Sequence, residues 1–281
     1  RKLLAAIYDI YGYYLLQENN KSDAHKILLD SLLFNPYRPG PYRLLAIIRS
    51  NEGDKANAEE ILRLGITANP QSKVLNSMLA DIYLYKAGSE ALKAIILKRI
   101  LSMETDERRQ NDLSNQLNLL RVEINESRRN LTEQVEEAQK FYMQKKWEKA
   151  VRAYKKLNSW NLDQEELFLE QGIAYQNIND WDSSVDSFYR GLLIQPNNYE
   201  LNILLGNYYF SKNKWFPAII HFQKAIRSIP KRNDNENLRK KIQISLKTMV
   251  NSSQSRRIGN LSKDQQSKIR DLYKTNVTLK N

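Results

Sequence analysis

The sequence predicts an all-α protein, an α-α superhelix in which about six helix-turn-helix repeats stack into a solenoid. Three observations carry this. Side chains of one type recur every 34 residues along most of the chain. Within each period the apolar residues fall at helical spacing, without the alternation of strands. The nine glycines form no G-x-G-x-x-G, G-K-[ST] or G-x-S-x-G signature, so the phosphate-cradling turns of α/β enzymes are missing.

The carboxy-terminal half shows the period most openly. Trp147, Trp181 and Trp215 are 34 apart, as are Ala138, Gly172 and Gly206. Phe141, Tyr175 and Tyr209 keep the step, and so do Tyr154, Phe188 and Phe222. In the amino-terminal third, Pro36 and Pro70 mark the same interval, with Ala24 and Ala58 twelve residues before them. A period of this length reads as one supersecondary unit repeated, each unit burying its apolar face on the next.

On these residues the chain resembles the tetratricopeptide repeat (TPR) family, whose 34-residue unit is two antiparallel helices, A and B. The resemblance implies small residues at repeat positions 8, 20 and 27, large ones at 11 and 24, and Pro at 32. The stretch 199–232 fits through Gly206, Tyr209, Ala218, Phe222, Ala225 and Pro230. The stretch 165–198 fits through Gly172, Tyr175, Phe188, Gly191 and Pro196, and 131–164 has Leu162 where Pro is expected. The stretches 5–38 and 39–72 carry Leu28 and Leu62 in place of the aromatic, and 73–106 keeps Ala80 and Tyr83 and then loses the pattern. The aromatics read as core packing, those at 11 and 24 filling the layer between neighbouring repeats.

The register breaks once. Between the blocks lie 24 residues beyond a whole number of periods, and Leu113, Leu117, Leu120 and Ile124 within them are spaced 4-3-4. The expected organisation is therefore an amino-terminal block over 1–106, a connecting helix over 107–130, a second block with a capping helix over 131–250, and a basic tail over 251–281. The connecting helix either joins the blocks, packs back on the array, or makes a seam with another chain, so the oligomeric state is monomer or dimer.

Composition excludes several functions. With no cysteine and two histidines, His25 and His221, thiolate chemistry and His-rich metal sites have no residues to use. Both histidines fall in B helices and read as surface or semi-buried residues. Glu136, Glu166 and Glu170 form an imaginable acid/base set, but carboxylates on adjacent repeat helices read as solvated. The chain reads as non-enzymatic, with no cofactor and no metal. The most apolar window, 3–16, is too short to span a bilayer. Arg1 in place of Met reads as a fragment or a processed chain. The Lys-, Asn- and Ile-rich usage resembles that of an AT-rich bacterial genome, and the lack of cysteine suits cytoplasm or envelope alike.

The resemblance implies a protein-binding surface along the concave face, lined by A helices. In the first block this face takes Tyr13, Leu16, Arg43, Ile47, Met78, Asp81 and Tyr85, apolar and aromatic with a few charges. In the second it takes Glu136, Glu166, Glu170, Asn207 and Phe210, and is more acidic. The carboxylate clamp of chaperone-binding relatives is absent, because Leu169, Glu170, Ile203 and Leu204 stand where its basic residues would be. The implied partner is a peptide or helical segment of another protein, held by an adaptor or scaffold. The competing reading comes from charge. Residues 231–281 hold 13 Lys/Arg and 4 Asp/Glu, +9 of the chain's +12, a composition that attracts nucleic acid or anionic membrane.

Overall fold

The computed structural model describes residues 2–84, 90–125, 131–157 and 165–228, together with 236, 240 and 244. Apart from 236, 240 and 244, the expected capping helix lies outside the described residues, as do the basic tail and Tyr85. Among the described residues there are thirteen helices and no strand. In chain order they are α1 (Lys2–Gln17), α2 (Lys21–Phe34), α3 (Pro39–Asn51), α4 (Lys55–Ala68), α5 (Lys73–Leu84), α6 (Glu90–Met103) and α7 (Glu107–Asn125). There follow α8 (Leu131–Met143), α9 (Trp147–Leu157), α10 (Glu165–Asn177), α11 (Trp181–Ile194), α12 (Tyr199–Ser211) and α13 (Trp215–Ser228). Apart from α7, they alternate as the A and B helices of the expected 34-residue repeat.

Local chemistry sets each A-to-B turn. The residue closing helix A is left-handed in Asn19 (φ 58°), Gly53 (79°), Lys145 (55°), Asn179 (62°) and Asn213 (58°). Gly and Asn tolerate this conformation best. The next amide then reaches back into the last turn, as Asn20 N to Leu15 O (2.8 Å), Asp180 N to Tyr175 O (3.0 Å) and Lys214 N to Tyr209 O (2.9 Å), a Schellman closure. Three of these next residues also cap helix B: Asn20, Asp54 and Asp180 accept from the amides of Asp23, Asn57 and Ser183. At the other end Asn35, Asn69 and Gln195 end helix B, just before Pro36, Pro70 and Pro196. Proline cannot continue a helix at that point.

Small residues set the helix spacing. A Cβ built on Gly206 would lie 2.5 Å from Phe222 Cδ1 and Cε1, and one on Gly172 2.2 Å from Phe188 Cε1. The large residue at position 24 thus seats on the small one at position 8 of its own repeat, and Tyr154 also packs against the next repeat. Position 27 makes the contact to the next repeat. A Cβ on Gly65 would lie 3.0 Å from Leu75 Cδ1, and one on Gly191 2.6 Å from Leu201 Cδ1.

The chain divides into two compact units, and they do not follow sequence order. One gathers 1–75 with 202–281. In it α1 to α4 pack in succession, and α13 packs on α4. Tyr37 donates to Gln223 Oε1 at 2.8 Å, Arg227 stacks 4.2 Å over the Tyr37 ring, and Lys214 pairs with Glu60 at 3.0 Å. The other unit, 76–201, holds α6 to α11. Here α6 packs on α11, and α7 lies back along α6 with Leu117 and Leu120 against Ala94 and Leu101.

Candidate functional site

The concave residues expected from the repeat register sit on A helices. In the first unit Tyr13 stands half exposed on α1, with Leu16 partly buried below it. Arg43 and Ile47 are partly buried on α3, which packs directly on α1. Asn207 and Phe210 are partly buried on α12, where Phe210 meets Trp215 edge-on at 5.4 Å. In the second unit Met78 is partly buried and Asp81 exposed on α5.

The acidic residues converge more closely. Glu136 on α8 and Glu166 on α10 are exposed, and α8 packs on α10. Glu170, one turn beyond Glu166, is engaged inside the protein. Its Oε2 accepts from the Tyr154 hydroxyl at 2.6 Å and from Gln139 Nε2 at 3.3 Å. Burial, followed by the Glu170 hydrogen bond and charge, pushes the Tyr154 hydroxyl well above the usual tyrosine range. Tyr142 lies beside the same cluster. Burial first, and then the carboxylates of Glu170 and Glu200, raise its hydroxyl too. The second unit therefore brings Gln139, Tyr142, Tyr154, Glu170 and Glu200 together, with Glu136 and Glu166 exposed on the same two A helices.

The sequence reading missed two other groups. His221, expected at or near the surface, is completely buried; its Nδ1 lies 3.1 Å from Asn202 Oδ1 and its ring stacks on Tyr209 at 5.7 Å. Burial alone pushes its pKa down to about 3. The 34-residue phase placed it beside Phe222, which is the signal that it belongs to the core. Arg99 on α6 donates to the Leu193 carbonyl in the last turn of α11, where a cation meets the negative end of the helix dipole. Desolvation lowers its pKa to about 10. Nothing in the local sequence marks Arg99, since its partner is 94 residues away.

Among the described residues no group of three or more His, Asp or Glu is placed to hold a metal ion, and no helix is long and apolar enough to cross a membrane.

No family model matches the chain, and no curated protein matches it. Solved structures do. The TPR domain of P58(IPK) is similar at 13% identity over 98% of this chain and 74% of its own, with a TM-score of 0.40. The TPR2AB domain of yeast Sti1, solved in complex with pHSP90, is similar at 14% identity over 88% and 99%, TM-score 0.37. A thermophilic TPR protein of Thermus thermophilus is similar at 16% identity over 86% and 98%, TM-score 0.30.

Proposed function

We propose that this chain, an array of TPR-type helical repeats, is a non-enzymatic adaptor that holds a peptide or helical segment of a partner protein along its A helices. The observation that carries the reading is the set of exposed carboxylates on two adjacent A helices, Glu136 on α8 and Glu166 on α10. Such a face suits a basic stretch with apolar side chains. In the first unit Tyr13, Leu16, Arg43 and Ile47 suit an apolar or amphipathic one. Aromatic and Met contacts adapt at modest entropic cost, and charge complementarity sets encounter rate and register. Glu170 serves as a positioning residue in this scheme, because Tyr154 and Gln139 already hold its carboxylate.

The test is recovery of partners with the intact chain as bait, followed by two double variants. Glu136→Lys with Glu166→Lys is expected to slow association of a basic partner and flatten its salt dependence. Tyr13→Ala with Arg43→Ala is expected to weaken an apolar one without changing circular dichroism. If both variants bind like wild type, the A-helix face is not the interface.

A further inference from the structure

One B helix carries a face of cations. Residues 145–156 hold six Lys/Arg and one Asp/Glu. Lys145 and Lys146 in the turn before α9, and Lys149, Arg152 and Lys155 on it, are all exposed. Those on the helix recur every three residues, which at 100° per residue keeps them within an arc of about 120°. Ala150, Val151, Ala153, Tyr154 and Leu157 fill the other side and are buried. Among the described residues none of the five exposed cations makes an ion pair.

Four other B helices have the same face covered. Position 25 of the repeat is Arg63 in α4, Leu97 in α6, Tyr189 in α11 and Gln223 in α13, all buried, where α13 packs on α4 and α11 on α6. In α9 that position is the exposed Lys155. Covering this face with an apolar helix would strip several ammonium groups of their hydration without giving them partners. What meets it must carry negative charge.

We infer that the cationic face of α9 docks on a bilayer surface that contains anionic lipid, a site separate from the A-helix face. Three observations select a bilayer over nucleic acid. Five of the six cations are Lys, which attracts as a hydrated point charge, whereas bidentate recognition of phosphate is the work of Arg. Phe141 and Tyr175 are capped by Lys149 and Lys155, at 5.8 and 5.7 Å from the ring centroids, so neither ring is turned out for a base to stack on. Met143, two residues before Lys145, is 80% exposed. An apolar side chain beside basic ones can enter the headgroup layer, and it offers a phosphate backbone nothing. Charge also sets the orientation. Through its buried side α9 packs on α8 and α10, whose Glu133, Glu136, Glu137 and Glu166 are exposed. The cations therefore point away from those carboxylates, which an anionic surface repels.

Co-sedimentation of the 281-residue chain with vesicles tests this. One set is phosphatidylcholine alone, and the other is phosphatidylcholine and phosphatidylserine in equal parts. Wild type is expected to bind the mixed vesicles only. Lys149→Gln, Arg152→Gln and Lys155→Gln combined are expected to lower that affinity roughly 100-fold, the loss of three cations held near the surface. Lys263→Gln, Lys268→Gln and Arg270→Gln, combined in the basic tail, are expected to lower it far less. A wild type that ignores the mixed vesicles, or binds both sets equally, overturns the proposal. So does a tail variant that loses as much as the α9 variant, or a chain that uses these α9 cations to bind a single-stranded oligonucleotide and not vesicles. A labelled cysteine reads the contact without any charge change on α9, since the chain has no cysteine of its own. With an environment-sensitive fluorophore attached, Met143→Cys is expected to shift its emission to the blue on mixed vesicles, and Glu136→Cys is not. Equal shifts overturn the proposal.

Discussion

Tyr154, the large residue at position 24 of one repeat, donates its hydroxyl proton to Glu170 Oε2 at 2.6 Å, in the A helix of the next. The bond joins α9 to α10 at the edge of the acidic face and consumes the carboxylate that sequence alone offered to a ligand. Tyr154→Phe keeps the ring and removes the bond. Hydrogen bonds to charged groups contribute about 1.5–3 kcal/mol when well shielded, and Glu170 is partly exposed. A loss near the lower end is expected in urea unfolding. Glu166→Gln, on the exposed turn before it, is expected to leave the midpoint unchanged.

Gly206 faces the ring of the fully buried Phe222. A single methyl placed 2.5 Å from Cδ1 and Cε1 must push a fully buried ring. Gly206→Ala is therefore expected to destabilise by about 1–3 kcal/mol, the usual cost of overpacking, despite the better helix propensity of alanine. Combining it with Phe222→Leu is expected to recover part of the loss in a double-mutant cycle. Additive losses would show that the two residues do not touch.

The left-handed turns give a paired test. Gly53 has φ 79° and open space where a Cβ would sit, whereas Lys145 adopts φ 55° with a side chain. A left-handed residue with a Cβ costs roughly 1–2 kcal/mol. Gly53→Ala is expected to lose about that much through the backbone alone. Lys145→Gly is expected to gain up to ~1 kcal/mol, the relief being partly offset by glycine's greater unfolded-state freedom. Thermal or urea midpoints of the two variants should move in opposite directions.

The repeat was legible because its causes are local and periodic. Gly, Pro and aromatic residues at a 34-residue step fix turns and helix approaches within each unit. The left-handed positions share the step, and the 92 residues from Gly53 to Lys145 equal two periods plus the 24-residue insertion. Long-range packing was not legible. Nothing near Tyr37 announces Gln223 and Arg227, and nothing near α7 announces Ala94 on α6. The candidate site was half legible. Register placed Glu136 and Glu166 on neighbouring A helices, while the capture of Glu170 needed the hydroxyl of a B-helix tyrosine that the period marks only as core.

Tyr37 tests the non-local packing of the first unit. It lies between α2 and α3 and holds α13 through Gln223 and the stacked Arg227. Tyr37→Ala removes the hydrogen bond, the cation–π contact and most of the packing, and is expected to cost about 3 kcal/mol or more. Hydrogen exchange should show the loss in α13 as well as at the α2–α3 turn. Protection of α13 equal to wild type would mean that it does not rest on the amino-terminal repeats.

His221 makes stability depend on acid. The ring is neutral in the fold, with its pKa pushed down to about 3 by burial, whereas an unfolded histidine titrates near 6.5. The unfolded state therefore binds the proton first. The contribution is complete above pH 6.5 and is lost steadily as pH falls from there towards about 3. Between pH 7 and pH 5 this linkage alone removes roughly 2 kcal/mol. Carboxylates also titrate below pH 5, so the wild type by itself does not isolate the effect. His221→Gln does, because glutamine can still donate towards Asn202 Oδ1 but binds no proton. The stability difference between wild type and His221→Gln, from urea midpoints at each pH, is expected to shrink by about that amount over the same interval. A difference that stays constant from pH 7 to pH 5 would show that the ring reaches solvent, and the stack on Tyr209 would then be open rather than sealed.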